Sequence, residues 1–171
     1  MIMFSIFFLL ILGICSGLQP INPEQLGDTD WKLDGLAGTV EHALQVEEHS
    51  FVATSKSEIA RLNNKGKFDW FMKVPDASVS NIAVYKRSLF SFSAQDNLVR
   101  MWNTVDGALL WEVFLGFKNP AASSGAESNI LVVPASEMVT ILNDNCLYFI
   151  GFRGDLQWKW CAADADGDLS D

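Results

Sequence analysis

The sequence predicts an all-β fold, a partial β-propeller of about three four-stranded blades preceded by one N-terminal orphan strand. The first observation is a glycine followed four residues later by a tryptophan, a spacing that occurs four times in the 171-residue chain. Successive glycines of this repeat lie 39, 41 and 47 residues apart, which matches the period of propeller blades or solenoid repeats. The repeat consists of Gly27 and Trp31, Gly66 and Trp70, Gly107 and Trp111, and Gly154 and Trp158.

The second observation is the distribution of short apolar runs between the repeats. Turn-forming residues such as Asn143-Asp144-Asn145 separate these runs. The runs fall into sets of four, and no window shows a sustained helical period. We therefore predict blades over about residues 39–75, 76–116 and 127–163, with one longer loop at 117–128.

Glycine and tryptophan each have a physical role in the predicted hairpin between the third strand and the outer strand of a blade. Glycine adopts the positive φ that a tight turn between strands requires. Tryptophan offers a large apolar surface that fits between neighbouring blades, and its indole N–H can reach a main-chain carbonyl. The pattern thus predicts structural residues rather than catalytic ones.

Residues 1–17 are predicted to be a signal peptide. An apolar run (MIMFSIFFLLIL) is followed by small residues, and Gly17 ends a plausible cleavage region. Since no Lys or Arg precedes the run, an uncleaved anchor is the alternative, although the run is shorter than the roughly 20 residues that span a bilayer. Residues 18–171 would then form the N-terminal part of a lumenal or extracellular propeller, without a further transmembrane segment.

The unit at Gly27 and Trp31 has no strands of its own ahead of it. Propellers typically close with about 4–8 blades, and an N-terminal strand without a blade is the element that completes the last blade of such a ring. Three blades also leave unpaired edges, which promote association. We therefore predict that the sequence is the beginning of a longer protein or a truncated product of one.

Composition excludes several classes of protein. A net charge of −9 and 12 scattered basic residues exclude nucleic-acid binding, which needs clustered Lys and Arg. A hydrophobic content of 49% excludes a disordered chain. Cys146 and Cys161 flank a predicted hairpin, so both a disulfide and two buried free thiols are consistent with the sequence.

No motif predicts a catalytic, cofactor or metal site. His42 and His49 lack further ligands at a suitable spacing and are interpreted as surface or strand-end histidines. Lys65-Gly66-Lys67 lacks the flanking residues of a phosphate loop. The acidic tail does not match a calcium loop, and it contains Asp164, Asp166 and Asp168. Four phenylalanines are candidates for a partner surface or for core between blades: Phe68, Phe71, Phe114 and Phe117.

The repeat resembles the pyrroloquinoline-quinone-like propeller repeat. The chain is more closely similar to the family of first subunits of the endoplasmic reticulum membrane protein complex, in which a signal peptide opens onto a lumenal propeller. Three segments carry the resemblance, and they read LGDTDWKLDGLAGTV (26–40), VATSKSEIARLNNKGKFDW (52–70) and NLVRMWNTVDGALLWEV (97–113). The likeness extends from Met1 along the whole chain but matches only the N-terminal end of the family.

The resemblance implies a non-enzymatic lumenal scaffold in a complex that inserts and folds membrane proteins, with the other subunits as partners. In that family a C-terminal region with a membrane anchor attaches the subunit to the complex, and the present sequence does not contain it. Two alternatives stay open at this point. One is a secreted oxidoreductase fragment of the quinone-dependent propeller class, and the other is a propeller adaptor for a different lumenal partner.

Overall fold

The computed structural model describes residues 35–74, 78–116 and 128–162, and these form three antiparallel four-stranded sheets. Blade one contains β1 (Val40–Val46), β2 (His49–Thr54), β3 (Glu58–Leu62) and β4 (Phe68–Lys73). Blade two contains β5 (Asn81–Tyr85), β6 (Ser88–Ser93), β7 (Leu98–Asn103) and β8 (Leu109–Phe114). Blade three contains β9 (Asn129–Val133), β10 (Met138–Asn143), β11 (Cys146–Gly151) and β12 (Leu156–Cys161). The prediction of an all-β partial propeller is confirmed.

Each blade is a meander in which neighbouring strands along the chain are also neighbours in the sheet. The first strands of the blades lie side by side, because β5 contacts both β1 and β9. The fourth strands lie at the opposite edge of each sheet, and in blades two and three they are the most exposed strands. A short 3₁₀ turn at Pro134–Ser136 connects β9 and β10. None of the described residues forms a helix with the length and apolar character needed to cross a bilayer.

The same irregularity of register occurs in all three blades, between the third and fourth strands. The pairing shifts between Arg61 and Leu62, between Met101 and Trp102, and between Phe149 and Ile150. A bulge of this kind bends the strand and increases its twist. Since the repeat tryptophan of β4, β8 or β12 pairs with the residue just before the shift, the three tryptophans occupy equivalent positions.

Two apolar clusters fill the seams, by which we mean the contact surfaces between neighbouring blades. Burial removes these side chains from water and stabilises the packing of one sheet on the next. The cluster between blades one and two contains Phe51, Ala53, Ile59, Val74, Val79, Ile82, Leu89 and Trp102. The cluster between blades two and three contains Phe90, Phe92, Val99, Met101, Leu115, Ile130, Val139, Ile141, Tyr148 and Ile150.

Several predicted features lie outside the described residues. They are the signal peptide at 1–17, the orphan strand with Gly27 and Trp31, Phe117 with most of the following loop, and the acidic tail with Asp164, Asp166 and Asp168.

Candidate functional site: the seams between the blades

Trp70 on β4 joins blade one to blade two. Its indole Nε1–H donates a hydrogen bond of 2.9 Å to the main-chain oxygen of Thr104. Its ring covers the turn between β7 and β8, where a Cβ placed on Gly107 would lie 3.0 Å from Cδ2 and Cε3 of the ring. Gly107 has a φ of +73°, so both its conformation and the overlying ring favour glycine there.

Trp111 on β8 makes the same connection one blade further along. Its Nε1–H donates to the main-chain oxygen of Phe152 at 2.9 Å. A Cβ on Gly154 would lie 3.0 Å from Cγ and Cδ2 of Trp111, and Gly154 has a φ of +85°. The tryptophan of one blade therefore packs on the glycine of the next blade, and the repeat acts across each seam as well as within a hairpin.

Arg61 adds a polar contact that only the first of the two seams contains. Its Nη1 donates to the main-chain oxygen of Thr104 at 2.7 Å, so this carbonyl accepts from both Arg61 and Trp70. Met101 occupies the equivalent position in blade two, since it pairs with Trp111 as Arg61 pairs with Trp70. The seam between blades one and two is thus partly electrostatic.

His49 and Asp69 orient the Arg61 guanidinium. The Nε of Arg61 lies 3.1 Å from a carboxylate oxygen of Asp69. The Nη2 of Arg61 lies 2.6 Å from Nε2 of His49, and since a guanidinium only donates, this imidazole nitrogen accepts. The structure places His49 in this structural cluster, and within the described ranges no group of three or more His, Cys, Asp or Glu side chains is arranged to hold a metal ion.

Two asparagines link blades two and three at the strand ends that lie away from the turns of Gly107 and Gly154. Asn143 donates from Nδ2 to Oδ1 of Asn97 at 3.1 Å. Asn97 in turn donates from Nδ2 to the main-chain oxygen of Gly116 at 2.8 Å. Both asparagine side chains are almost fully buried, so these bonds satisfy polar groups that burial would otherwise leave unpaired.

Trp158 on β12 has a different environment from the two preceding repeat tryptophans. It is 49% exposed and stacks on Phe149, with 4.0 Å between the ring centroids. On the opposite side of the same hairpin, Cys146 and Cys161 form a disulfide that joins β11 to β12. The repeat unit of Gly154 and Trp158 therefore has its hairpin in place but has no described blade beyond it.

The remaining candidate residues are distributed over the blades. His42 lies on β1 opposite Ala53. Phe68 packs on Phe71 with ring centroids 5.4 Å apart, and Phe71 itself is exposed. Phe114 is exposed at the end of β8 in a different blade. The Lys65-Gly66-Lys67 segment forms a turn around the side chain of Asn63, whose Oδ1 accepts from the main-chain N–H groups of both lysines.

Sequence reasoning missed several residues of the seams. Arg61 and the two asparagines follow no motif, and the accepting carbonyls of Thr104 and Phe152 belong to the main chain, so residue type gives no indication of them. The one signal that could have helped is positional. Thr104 lies three residues ahead of Gly107, and Phe152 lies two residues ahead of Gly154.

Comparisons with solved structures agree with this architecture. The chain is similar to BamB from Moraxella catarrhalis, with a TM-score of 0.54 and 14% identity over 67% of this chain and 33% of that chain. It is also similar to the computationally designed Ika4 protein, with a TM-score of 0.57 and 15% identity over 81% of this chain and 79% of that chain. The chain thus spans about a third of the BamB chain, and at these identities the likeness shows the fold alone. A search of curated proteins finds no match.

The sequence profile of one family covers most of the chain. The EMC1 N-terminal beta-propeller domain matches residues 23–169, a range that includes all three blades, both seams and the three repeat hairpins described above. The match agrees with the resemblance that the lead-in and the repeat spacing indicate. The chain therefore belongs to the family of EMC1 N-terminal β-propeller domains.

Proposed function

We propose that this chain is a non-enzymatic scaffold portion of the endoplasmic reticulum membrane protein complex, on its lumenal side, and that it supports the insertion and folding of membrane proteins. The observation that carries the proposal is the family match over residues 23–169. Membership of this family supports a role in a multi-subunit complex, with the other subunits as partners. The cross-blade bonds of Trp70 and Trp111 suit a scaffold, because they hold neighbouring sheets in a defined relation.

The proposed lumenal location rests on two features of the chain. Residues 1–17 have the apolar core and small-residue end of a signal peptide, which would leave residues 18–171 in the lumen. The disulfide between Cys146 and Cys161 is typical of an oxidising compartment, where such bonds persist. N-terminal sequencing of the chain recovered from membranes tests this step, and a start near Leu18 is the expected result.

The proposal of a non-enzymatic role rests on what the polar side chains of the first seam do. Arg61, His49 and Asp69 bind one another and the main chain of the neighbouring blade. This use of polar groups stabilises the contact between blades one and two. We accordingly propose no cofactor and no catalytic residue for the chain.

Co-purification tests the proposed function. The chain would be expressed with a C-terminal affinity tag in cells, and membranes would be solubilised in a mild detergent before capture. We expect the other subunits of the complex to be recovered with the tagged chain. A chain that is folded by circular dichroism yet is recovered alone would contradict the proposal.

A matched control separates specific capture from general adhesion. The same tagged chain without residues 1–17 should remain outside the secretory compartment and recover none of the subunits. Equal recovery by both forms would show that the association does not depend on delivery to the lumen, and the lumenal scaffold proposal would then fail.

A further inference from the structure

A cavity of about 310 Å³ opens at the seam between blades one and two. This volume lies at the lower end of the range of about 300–1,000 Å³ that is typical of ligand-binding pockets. The cavity lies among the β1–β2 turn of blade one and the β5–β6 and β7–β8 turns of blade two. The seam pocket, as we call it, is lined by Phe51 and Arg61 of blade one and by Arg87, Thr104 and Val105 of blade two, among others.

The Arg61 guanidinium lines this pocket and has more donors than the seam uses. A guanidinium carries five N–H groups. Three of them contact the main-chain oxygen of Thr104, Nε2 of His49 and the carboxylate of Asp69. Arg61 makes no other polar contact within the described residues, so two N–H groups remain for a ligand. The side chain is only 15% exposed, and a hydrogen bond to an anion is strengthened where solvation is this poor.

Arg87 brings a second guanidinium to the pocket from the neighbouring blade. It lies in the turn between β5 and β6 and is exposed, and no carboxylate of a described residue pairs with it. The adjacent Lys86 also lines the pocket, but its ammonium lies 5.0 Å from the centroid of the Tyr85 ring and interacts there. In a chain with a net charge of −9, two guanidinium groups at one cavity form a local site of positive charge.

The walls of the seam pocket are held in place through Thr104. Its main-chain N–H donates to the carbonyl of Arg87 at 3.0 Å, which fixes the two turns of blade two to one another. Its own carbonyl accepts from Arg61 and Trp70 of blade one. Because both blades are thus positioned before a ligand enters, binding costs little conformational entropy.

The pocket has the chemistry to bind an organic anion. The planar N–H groups of a guanidinium match the oxygens of a carboxylate or a phosphate. Phe51 and Val105 add an apolar wall, which suits an anion that carries a hydrocarbon group. Glu47 lines the same cavity, and its carboxylate would repel the two charges of a phosphate more strongly than the single charge of a carboxylate.

We propose that the seam pocket binds a carboxylate that carries a small aliphatic group. Its aliphatic group would lie against Phe51 and Val105, and its oxygens would accept from Arg61 and Arg87. Such a carboxylate is found in a free organic acid and at the C-terminus of a peptide chain. The inference does not rest on membership of the complex, so its failure would leave the proposed function unaffected.

An NMR titration of the isotopically labelled full chain tests the proposal. The probes are isovalerate, which represents a free acid, and N-acetyl-leucine, which represents a peptide C-terminus. Isovaleramide and N-acetyl-leucinamide are the matched controls, because they keep the aliphatic group and lose the charge. The indole N–H of Trp70 is the reporter, since it shares the Thr104 carbonyl with Arg61. The indole N–H of Trp111, bonded to Phe152 at the other seam, is the internal control.

We expect each carboxylate to shift the Trp70 resonance but not the Trp111 resonance, and to bind about tenfold or more tightly than its amide. Tighter binding of N-acetyl-leucine than of isovalerate would assign the site to a peptide C-terminus, and the reverse order would assign it to a free acid. Equal binding of acid and amide, tighter binding of inorganic phosphate, or an unchanged Trp70 resonance would overturn the proposal.

Arginine substitutions locate the charge that binds. Arg87→Gln removes an exposed guanidinium, so the fold should persist, and we expect the affinity for the tighter of the two carboxylates to fall about fivefold or more. Arg153→Gln removes the same charge from an exposed position on blade three and should leave the affinity unchanged. Equal losses in the two variants would show that only the net charge of the chain matters, which would contradict the proposal.

An introduced carboxylate supplies an independent readout. Val105 is 55% exposed, so Val105→Asp can be accommodated by the fold and places a negative charge at the pocket. We expect the affinity for the same carboxylate to fall about tenfold or more through repulsion. Leu110→Asp, at a leucine of β8 that is 51% exposed, is the matched control and should leave the affinity unchanged. A Val105→Asp chain that binds as the wild type does would overturn the assignment of the pocket.

Discussion

Trp111 shows how one side chain holds two sheets together. Its indole N–H binds the carbonyl of Phe152, and its ring covers Gly154 in the same hairpin of blade three. Phenylalanine could fill part of the space but has no N–H to donate, and any larger residue at Gly154 would meet the ring. The tryptophan and the glycine that contact one another therefore come from successive repeat units of the chain.

The contribution of this contact can be measured by comparing two tryptophans of the same repeat. We expect Trp111→Ala to lower the free energy of unfolding by about 2–3 kcal/mol, below the range for a fully buried tryptophan because Trp111 is only partly buried. Trp158→Ala, which removes an exposed ring stacked on Phe149, should cost about 1 kcal/mol or less. Urea denaturation measures both values, and equal losses would contradict the assignment of Trp111 to a seam.

The glycine side of the contact has its own test. Gly154→Ala should lower the free energy of unfolding by about 2–4 kcal/mol, since a Cβ there adds overpacking against Trp111 to the strain of a positive φ. Gly116→Ala is the matched control, because Gly116 has a φ of +102° and none of the described residues places an atom within 4 Å of the added Cβ. It should cost about 1–2 kcal/mol from strain alone.

A double variant sharpens this comparison. In a chain that already carries Trp111→Ala, the ring that meets the new Cβ is gone, so Gly154→Ala should cost no more than Gly116→Ala. Denaturant unfolding of the wild type, the two single variants and the double variant gives the coupling free energy between the two positions. Strict additivity of Trp111→Ala and Gly154→Ala would mean that the two residues do not contact one another.

At the scale of one element, β12 is the least buried of the twelve strands. Every residue of β12 is exposed, and no described strand pairs with its outer edge. Its hydrogen bonds to β11 and the disulfide between Cys146 and Cys161 attach it to blade three. The bond from the N–H of Ala162 to the oxygen of Asn145 continues the ladder past the disulfide. The hairpin thus has a covalent closure at the end away from Gly154.

Removal of the disulfide should loosen this hairpin. We expect Cys146→Ser with Cys161→Ser to lower the free energy of unfolding by about 3 kcal/mol, the chain-entropy value for a loop of roughly 15 residues, which matches the separation of the two cysteines. Amide hydrogen exchange in β12 should become faster. The wild-type chain under reducing conditions should behave as the double variant does. In a chain that starts at Leu18 and so lacks Cys15, thiols that react with Ellman's reagent before reduction would refute the pairing.

At the scale of the whole molecule, the middle blade is the only one of the three described blades that packs on a neighbour at both faces. Its residues belong to both seam clusters, with Leu89 in one and Phe90 in the other. Blades one and three each make one of these seams. Stability should therefore be graded along the chain, as it is in repeat proteins whose units contact only their neighbours.

Native-state hydrogen exchange followed by mass spectrometry can detect this gradient. We expect the slowest amide exchange in β6 and β7, which are buried on both faces, and the fastest exchange among the strands in β12. Uniform exchange across the twelve strands would instead indicate a single cooperative unit without a weaker end.

The sequence was most informative where a short pattern repeats. The grouping of the strands into three sets of four could be predicted, because alternating apolar runs and turn residues are local signals. The side chains of the seams were harder to predict. Arg61 binds a carbonyl of the next blade 43 positions along the chain, and Asn143 binds an asparagine 46 positions before it. No local pattern indicates contacts at such separations.

Composition and spacing by themselves determined the all-β class, the number of blades and the positions of the glycines and tryptophans, because these depend on periodicity within about forty residues. Only the tertiary structure decided that Trp70 and Trp111 pack on the glycine of the following blade, and that Trp158 stays exposed while Trp111 does not. The physical reason is that burial depends on which surfaces meet. Two hairpins of the same repeat differ in environment when one of them packs on a neighbouring sheet and the other does not.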